Sequence, residues 1–239
     1  SVYLLNDMLD VNSDRQHQSK FRRPFASGDL SLIYGYLGAP SLLILGFLIA
    51  LWLPTEFVFV LLTYWLMTTA YSLLLKSLFL IDVLTLASLY TWRIIAGSAA
   101  ISVVTTYYLL AFSFFLFLGL AMVKRYTEFL NLQNQGKSST AGRGYSVENL
   151  QTLVITGGGS GLLAVTVFAL YINEPTTTEL YNNPLLLWAI CPLLLFLLWH
   201  IWALARRGEL DEDPVLFALT DRRSQITAAV CGLVILLAM

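Results

Sequence analysis

Long apolar runs alternate with short polar gaps along this chain of 239 residues. Seven runs approach the length of a membrane span, at residues 31–53, 57–75, 78–101, 107–123, 150–172, 185–205 and 226–239. A spanning helix needs about 20 apolar residues, so the pattern predicts an all-α integral membrane protein with a short last span. Residues 2–5 read as the tail of an earlier span, so the chain is expected to be a piece of a longer protein. The gaps differ in kind. Residues 54–56, 103–106 and 173–184 contain no Lys or Arg, whereas 15–23, 76, 124–143 and 206–223 contain thirteen of the fourteen. Basic residues collect on the cytoplasmic side, which places the second set of gaps there.

Composition sharpens this picture. Hydrophobic residues make up 57% and charged residues 12%, about half the charged share of a soluble domain. The net charge of −1 gives no basic balance for a polyanion and excludes nucleic acid as an expected partner. Cys191 and Cys231 lie in apolar runs and read as small core residues. His17 and His200 are too few and too far apart for a zinc site.

The chemistry concentrates in the opening stretch, where Asn6, Asp7, Asp10 and Asp14 form N-D-x-x-D-x-x-x-D, followed by Arg15, His17, Lys20, Arg22 and Arg23. If the stretch is one helix, a turn of about 100° per residue gathers the three aspartates within an arc of roughly 60°. Carboxylates so placed repel unless a cation sits among them. Oxygen donors with room for water and phosphate suit Mg²⁺, and Arg and Lys suit the remaining phosphate oxygens. A calcium loop is excluded, because Arg15 and Phe21 stand where it needs Gly and Glu. The alternative is a solvated loop whose charges only hold it in water.

Other polar positions are more ambiguous. Asp82 and Arg93 fall in one run, eleven residues and about 16 Å apart on one helix side. An intramembrane ion marks a functional site by default, or else Arg93 pairs with a carbonyl or carboxylate of a neighbouring helix and locks the bundle. Lys124, Arg125, Tyr126 and Glu128 are expected to extend the fourth helix past Val123. By spacing alone, Lys124 and Glu128 are a surface pair and Lys124–Arg125 a membrane anchor. Residues 136–144 read as a flexible link. The run T-G-G-G-S-G from Thr156 lacks the Lys-Ser/Thr of a phosphate loop, so Gly157 and Gly161 are expected to allow close helix packing. Pro192 reads as a kink, and Trp188, Trp199 and Trp202 as interface belts. Glu209, Asp211, Glu212 and Asp213 read as a solvated loop broken by Gly208 and Pro214, with Asp221 and Arg222 opening the last span.

The run Y-L-L-N-D-M-L-D-V-N-S-D-R-x-H-x-x-K-x-R-R-P-F-A-S-G resembles the first signature of the UbiA-type superfamily of intramembrane prenyltransferases. The resemblance covers the whole chain and implies a single UbiA-like helical bundle over 1–239, about seven spans of an expected nine, lacking its first helix and most of its second. It also implies that Asn6, Asp7, Asp10 and Asp14 hold Mg²⁺ on a substrate diphosphate, with Asp7, Asp10 and Asp14 as metal ligands. The loop at Lys124 falls where the family has its second active-site loop, but K-R-Y-T-E replaces the usual paired aspartates. That form, with 82–97 and 213–222, is similar to the branch containing decaprenyl-phosphate phosphoribosyltransferases. For the Lys124–Glu128 group the resemblance outweighs the spacing argument.

The resemblance therefore implies a Mg²⁺-dependent transferase in the plasma membrane, with cytoplasmic active-site loops. It would move phosphoribose from soluble phosphoribosyl diphosphate to a polyprenyl phosphate, and a homo-oligomer is compatible with this. Phosphate contacts are expected from Lys20, Arg22, Arg23, Lys76 and Lys124, with Arg93, Arg125, Tyr126, Asp221 and Arg222 as further substrate contacts. Glu128 and Asp82 are candidates for orienting the sugar or a second metal. Transfer of a prenyl group to an aromatic acceptor is the alternative within the family. A transporter using Asp82 and Arg93 as a coupling pair is the alternative outside it, disfavoured by the lack of repeated halves.

Overall fold

The computed structural model describes residues 1–15, 20–134, 149–210 and 214–239, with the side chains of Lys20, Leu132, Thr176 and Thr178 also outside the description. His17, the link at 136–144 and the acidic residues Asp211, Glu212 and Asp213 therefore lie outside the described residues. The fold is all-α, with no strand among the described residues. Among the described residues six helices are long and apolar enough to cross a membrane. The chain divides into two compact units, one of 1–76 with 92–104 and one of 77–91 with 105–239.

The first unit begins with α1 (Val2–Leu9), α2 (Val11–Asp14) and α3 (Pro24–Ser27), which lead into α4 (Leu32–Ala50) and α5 (Thr55–Leu73). Here the expectation of one continuous helix through the aspartates needs correction. The helix is interrupted at Asp10, whose φ of −93° and ψ of 1° leave the helical region. Its N–H still bonds Asn6 O at 2.9 Å and its carbonyl accepts from Asp14 N at 2.8 Å, so the chain turns on in the same sense. Gly28 ends α3 in the left-handed region at φ 90°, where a side chain would be strained. Val11, Phe25 and Ala26 are buried, and Gly35 of α4 lets Met8 and Phe25 approach its backbone. By contrast Ile44, Leu48, Phe59 and Leu66 are exposed, as side chains that meet lipid must be.

The helix α6 (Ile81–Ala100) has its first half in the second unit and its second half in the first. The second unit continues with α7 (Tyr107–Asn134), α8 (Leu150–Ile172), α9 (Pro175–Leu180), α10 (Ile190–Arg207), α11 (Pro214–Thr220) and α12 (Arg222–Ala238). The 28 residues of α7 rise about 42 Å, so it does run past Val123 and carries Lys124–Glu128 as helix. The last apolar run forms α12, whose 17 residues rise only about 25 Å, less than the hydrocarbon core.

The core of this unit gathers Val83, Leu118, Val123, Phe129, Leu153, Ile201 and Ala205. A close helix contact is made through glycine, as the sequence suggested. A Cβ at Gly157 would meet Met122 Cβ at 3.0 Å and overlap the Trp202 ring, and one at Gly161 would meet Leu198 at 3.1 Å. Trp202 is thus a core residue rather than part of a belt, and it meets Tyr126 edge-on with centroids 5.7 Å apart. Trp199 is exposed. Pro192 lies in the first turn of α10, just after the 3-10 helix Pro184–Ala189, so the span changes helical geometry beside it. Gly208 closes α10 in the left-handed region, and Pro214 opens α11. Cys191 and Cys231 are half-buried against the cluster around Ile172 and Leu187.

Candidate active site

In the first unit the aspartate stretch and the basic residues that follow it fold onto one another. Arg23 Nη1 donates to Asp7 Oδ1 at 2.7 Å and to Asp14 Oδ2 at 2.9 Å. Lys76, on a 3-10 turn (Leu75–Ser77) after α5, donates to Asp10 Oδ1. Asn6 donates to the other Asp10 oxygen at 3.1 Å. The three carboxylates lie near one another with basic side chains between them: Asp7 and Asp14 share a guanidinium while Asp10 turns to an ammonium. Bare carboxylates repel, and interleaving cations relieve that repulsion. Among the described residues no group of three His, Cys, Asp or Glu side chains is placed to hold a metal ion on its own.

Among the described side chains, these three carboxylates bond two cations, Arg23 and Lys76. Burial pushes the Asp7 carboxyl above its ordinary value; Arg23 draws it back, and Asp14 and Asp10 push it up again. The three therefore act on one another, and Asp14 is almost wholly buried. Hard oxygen donors with basic neighbours fit a divalent cation that takes one or two carboxylates and completes its shell with phosphate and water.

The remaining basic residues of the stretch divide. Arg15 donates from Nε to Ala26 O at 3.0 Å and so ties α2 to α3. Arg22 is exposed, with its guanidinium 5.5 Å from the Phe21 ring centroid. The Lys20 side chain lies outside the described residues. Arg93 belongs to the first unit, where its Nε and Nη2 donate to the Tyr64 hydroxyl at 3.0 and 2.8 Å. The Tyr64 hydroxyl of the neighbouring helix α5 is thus one of its partners.

The second unit holds a separate polar centre. Asp82, in the first turn of α6, is fully buried, and Arg125 of α7 is 2% exposed. Arg125 forks onto Asp82, with Nε on one oxygen and Nη2 on the other at 3.1 Å. Its Nη1 donates to Glu128 Oε2 at 2.7 Å. Such a two-pronged pair, with every prong used, is the geometry in which a buried guanidinium is tolerated. Arg125 therefore meets protein carboxylates, and Glu128 pairs with it at i+3. Lys124 is half-buried beside it, and Tyr126 is buried in the core. Asp82 and Arg93, the coupling pair of the transporter alternative, are engaged by different partners.

The same unit contains a residue that sequence reasoning set aside. His200, buried on α10, places Nε2 3.1 Å from Asp221 Oδ2. Asp221 caps α12 by accepting from Ser224 N at 2.8 Å and Ser224 Oγ at 2.9 Å. Burial works against its charge, but these hydrogen bonds and His200 outweigh it and hold the carboxyl below its ordinary value. Arg222 is exposed at the head of α12. Twenty-one residues separate His200 from Asp221, so no local spacing reveals the pair. Tyr64 was also missed, being one aromatic among many in an apolar run.

Comparison with known proteins now bears on this geometry. The chain is 33% identical over its whole length to the protein y4nM of Sinorhizobium fredii, covering 46% of that protein. It is 29% identical over 94% of its length to the nodulation protein NoeC of Azorhizobium caulinodans, covering 73% of it. It is 33% identical over 128 residues, 54% of its length, to the decaprenyl-phosphate phosphoribosyltransferase of Mycolicibacterium smegmatis, covering 40% of that enzyme. The chain thus spans about half the length of the first of these relatives. The profile of the UbiA prenyltransferase family matches residues 1–221, from the aspartate stretch to the cap of α12. With a match over nearly the whole chain and a helical membrane fold, the chain belongs to the UbiA prenyltransferase family of membrane-embedded transferases.

Proposed function

We propose that this protein transfers phosphoribose from phosphoribosyl diphosphate to a polyprenyl phosphate, in a Mg²⁺-dependent reaction. The observation that carries the reading is the alternation of Asp7, Asp10 and Asp14 with Arg23 and Lys76 in one cluster. Such a set is suited to a diphosphate that arrives with a divalent cation: the cation takes carboxylate oxygens, and the basic side chains turn to phosphate oxygens. Asp7, Asp10 and Asp14 would hold the Mg²⁺, which when bound offsets the charge developing on the leaving diphosphate. Similarity to decaprenyl-phosphate phosphoribosyltransferases, though limited to about half of the chain, supports this donor and acceptor.

In the transfer, a phosphate oxygen of the lipid supplies an electron pair to the anomeric carbon. The bond from that carbon to the diphosphate oxygen breaks, and its electrons leave on the diphosphate. No proton need move. Arg23 and Lys76 release Asp7, Asp14 and Asp10 in part and stabilise the departing group, so their worth is greatest where charge is greatest. Within the second unit, the Asp82–Arg125–Glu128 network keeps this part of α7 in one conformation. We place the protein in the plasma membrane with the aspartate stretch cytoplasmic, because the basic gaps are cytoplasmic by charge bias.

The test uses full-length protein in detergent with Mg²⁺. One arm supplies phosphoribosyl diphosphate and a polyprenyl phosphate; the other supplies a prenyl diphosphate and aromatic acids. Lipid products are read by mass. A phosphoribosylated lipid is expected. Product from the prenyl diphosphate alone would replace this reading with prenyl transfer, which the family match also accommodates.

A further inference from the structure

In the aspartate cluster each expected metal ligand already carries a protein cation. Arg23 Nη1 bridges Asp7 Oδ1 at 2.7 Å and Asp14 Oδ2 at 2.9 Å, so one guanidinium holds two carboxylates together. Lys76 bonds Asp10 Oδ1, and Asn6 takes the other Asp10 oxygen at 3.1 Å. Among the described residues no three His, Cys, Asp or Glu side chains are placed to hold a metal ion on their own, as expected where cations stand between the carboxylates.

Exposure separates pairs that lock a fold from pairs that can exchange. Arg23 and Lys76 are 36% and 22% accessible, and their partners Asp7 and Asp10 are 30% and 27% accessible. Water screens pairs of that kind, and they hold weakly. Arg125 and Asp82, at 3% and 0%, are the opposite case, sealed from water and costly to part. Asp14 is the buried member of the first set, and a metal ion on its carboxylate would replace the charge that Arg23 takes away.

Neither a metal ion nor a diphosphate repairs the cluster alone. A divalent cation entering by itself must displace Arg23 or sit beside its positive charge, and either weakens its binding. A diphosphate entering by itself draws Arg23 and Lys76 away and leaves carboxylates beside phosphate oxygens, like charge against like. When the two come together, the carboxylates pass to the metal and the two cations to phosphate oxygens, so every released group is paired again. Ligands that relieve each other's penalty bind with positive coupling, and by linkage the coupling is equal in both directions.

Resting on the diphosphate-donor reading above, we propose that Arg23 and Lys76 are a built-in counter-ion gate, closing the aspartates to a lone metal ion and opening them to metal and diphosphate together. Arg23 carries the larger share, because it covers two carboxylates and Lys76 covers one. A free divalent cation is thereby held off until a diphosphate donor accompanies it.

The experiment titrates Mn²⁺, a divalent probe suited to carboxylate oxygens, into full-length protein in detergent and follows the free ion by electron paramagnetic resonance. Titrations run with and without inorganic diphosphate, with complexation of Mn²⁺ by diphosphate in solution subtracted. In the wild type, diphosphate tightens Mn²⁺ binding roughly tenfold or more. In R23Q, Mn²⁺ without diphosphate binds several-fold more tightly than in the wild type, and the enhancement by diphosphate shrinks. K76Q moves the same way by less, and R23K stays near the wild type. Adding D7N to R23Q removes the gain, which assigns it to this cluster. Loss of a merely structural bridge would instead weaken Mn²⁺ binding. Should R23Q fail to fold, K76Q decides. Unchanged or weaker Mn²⁺ binding in both variants without diphosphate overturns the gate, as does a wild type that binds Mn²⁺ equally with and without diphosphate. A prenyl diphosphate carries the same leaving group, so if the gate is observed while no phosphoribosylated lipid forms, the gate stands and the phosphoribosyl-transfer reading falls.

Discussion

His200 Nε2 lies 3.1 Å from Asp221 Oδ2, joining the buried face of α10 to the residue that caps α12. The carboxylate thus serves a helix end and a neighbouring helix at once. D221A is expected to destabilise the protein by about 1–2 kcal/mol, the range of a lost N-cap, and D221N by less. Because the folded Asp221 titrates below its ordinary value, its contribution is complete above about pH 4 and is lost as pH falls through the lowered value. Unfolding curves of wild type and D221A in detergent should run parallel at neutral pH and converge in acid.

The Asp82–Arg125 pair predicts a larger effect. D82A removes the fully buried carboxylate on which Arg125 forks, leaving Nε and Nη2 without it, and is expected to cost about 3 kcal/mol. The double replacement D82L/R125M removes both charges and should recover most of that loss. Thermal unfolding of the three variants distinguishes this from a simple cavity, which the double variant would not repair.

Asp10 and Lys76 form a partly exposed pair, with side chains 27% and 22% accessible. Such a pair is worth at most about 1 kcal/mol, so D10N should leave the unfolding midpoint within a few degrees of wild type. Turnover should nevertheless fall at least about 10²-fold, because the change removes charge aimed at the leaving diphosphate. Unchanged turnover at saturating Mg²⁺ would remove Asp10 from the metal site.

Burial and the neighbouring carboxylates hold the Asp7 carboxyl above its ordinary value. A proton on Asp7 competes with a metal ion, so Mg²⁺ affinity should tighten as pH rises from about 4 toward neutrality and then level off. The Mg²⁺ concentration giving half-maximal turnover, followed against pH, checks the direction. D7N should abolish the slope.

Two glycine positions in α8 make a matched test of packing. G157A pushes a methyl group into Trp202 and Met122, with an expected cost of about 1–3 kcal/mol. G158A meets nothing within 4 Å and should be neutral or stabilising by up to about 1 kcal/mol through helix propensity. Thermal shift on the two purified variants is sufficient.

The sequence by itself determined the membrane class, six of the long helices, the extension of α7 beyond Val123 and the family. These follow from local quantities: the length of an apolar run, the place of a glycine or proline, a motif with fixed spacing. It also placed Gly157 and Gly161 at a close helix contact, because small residues four apart on one helix admit a neighbour. Tertiary structure alone decided which charges meet. Arg23 reaches Asp7 and Asp14, Lys76 reaches Asp10 across 66 residues, Arg125 reaches Asp82 across 43, and His200 finds Asp221 across 21. A lone charge in a sequence has many candidate partners, and only packing removes all but one. The same reason separates Arg125 from Arg93. Both are arginines on largely apolar helices, but packing sets one against buried carboxylates and the other against the Tyr64 hydroxyl.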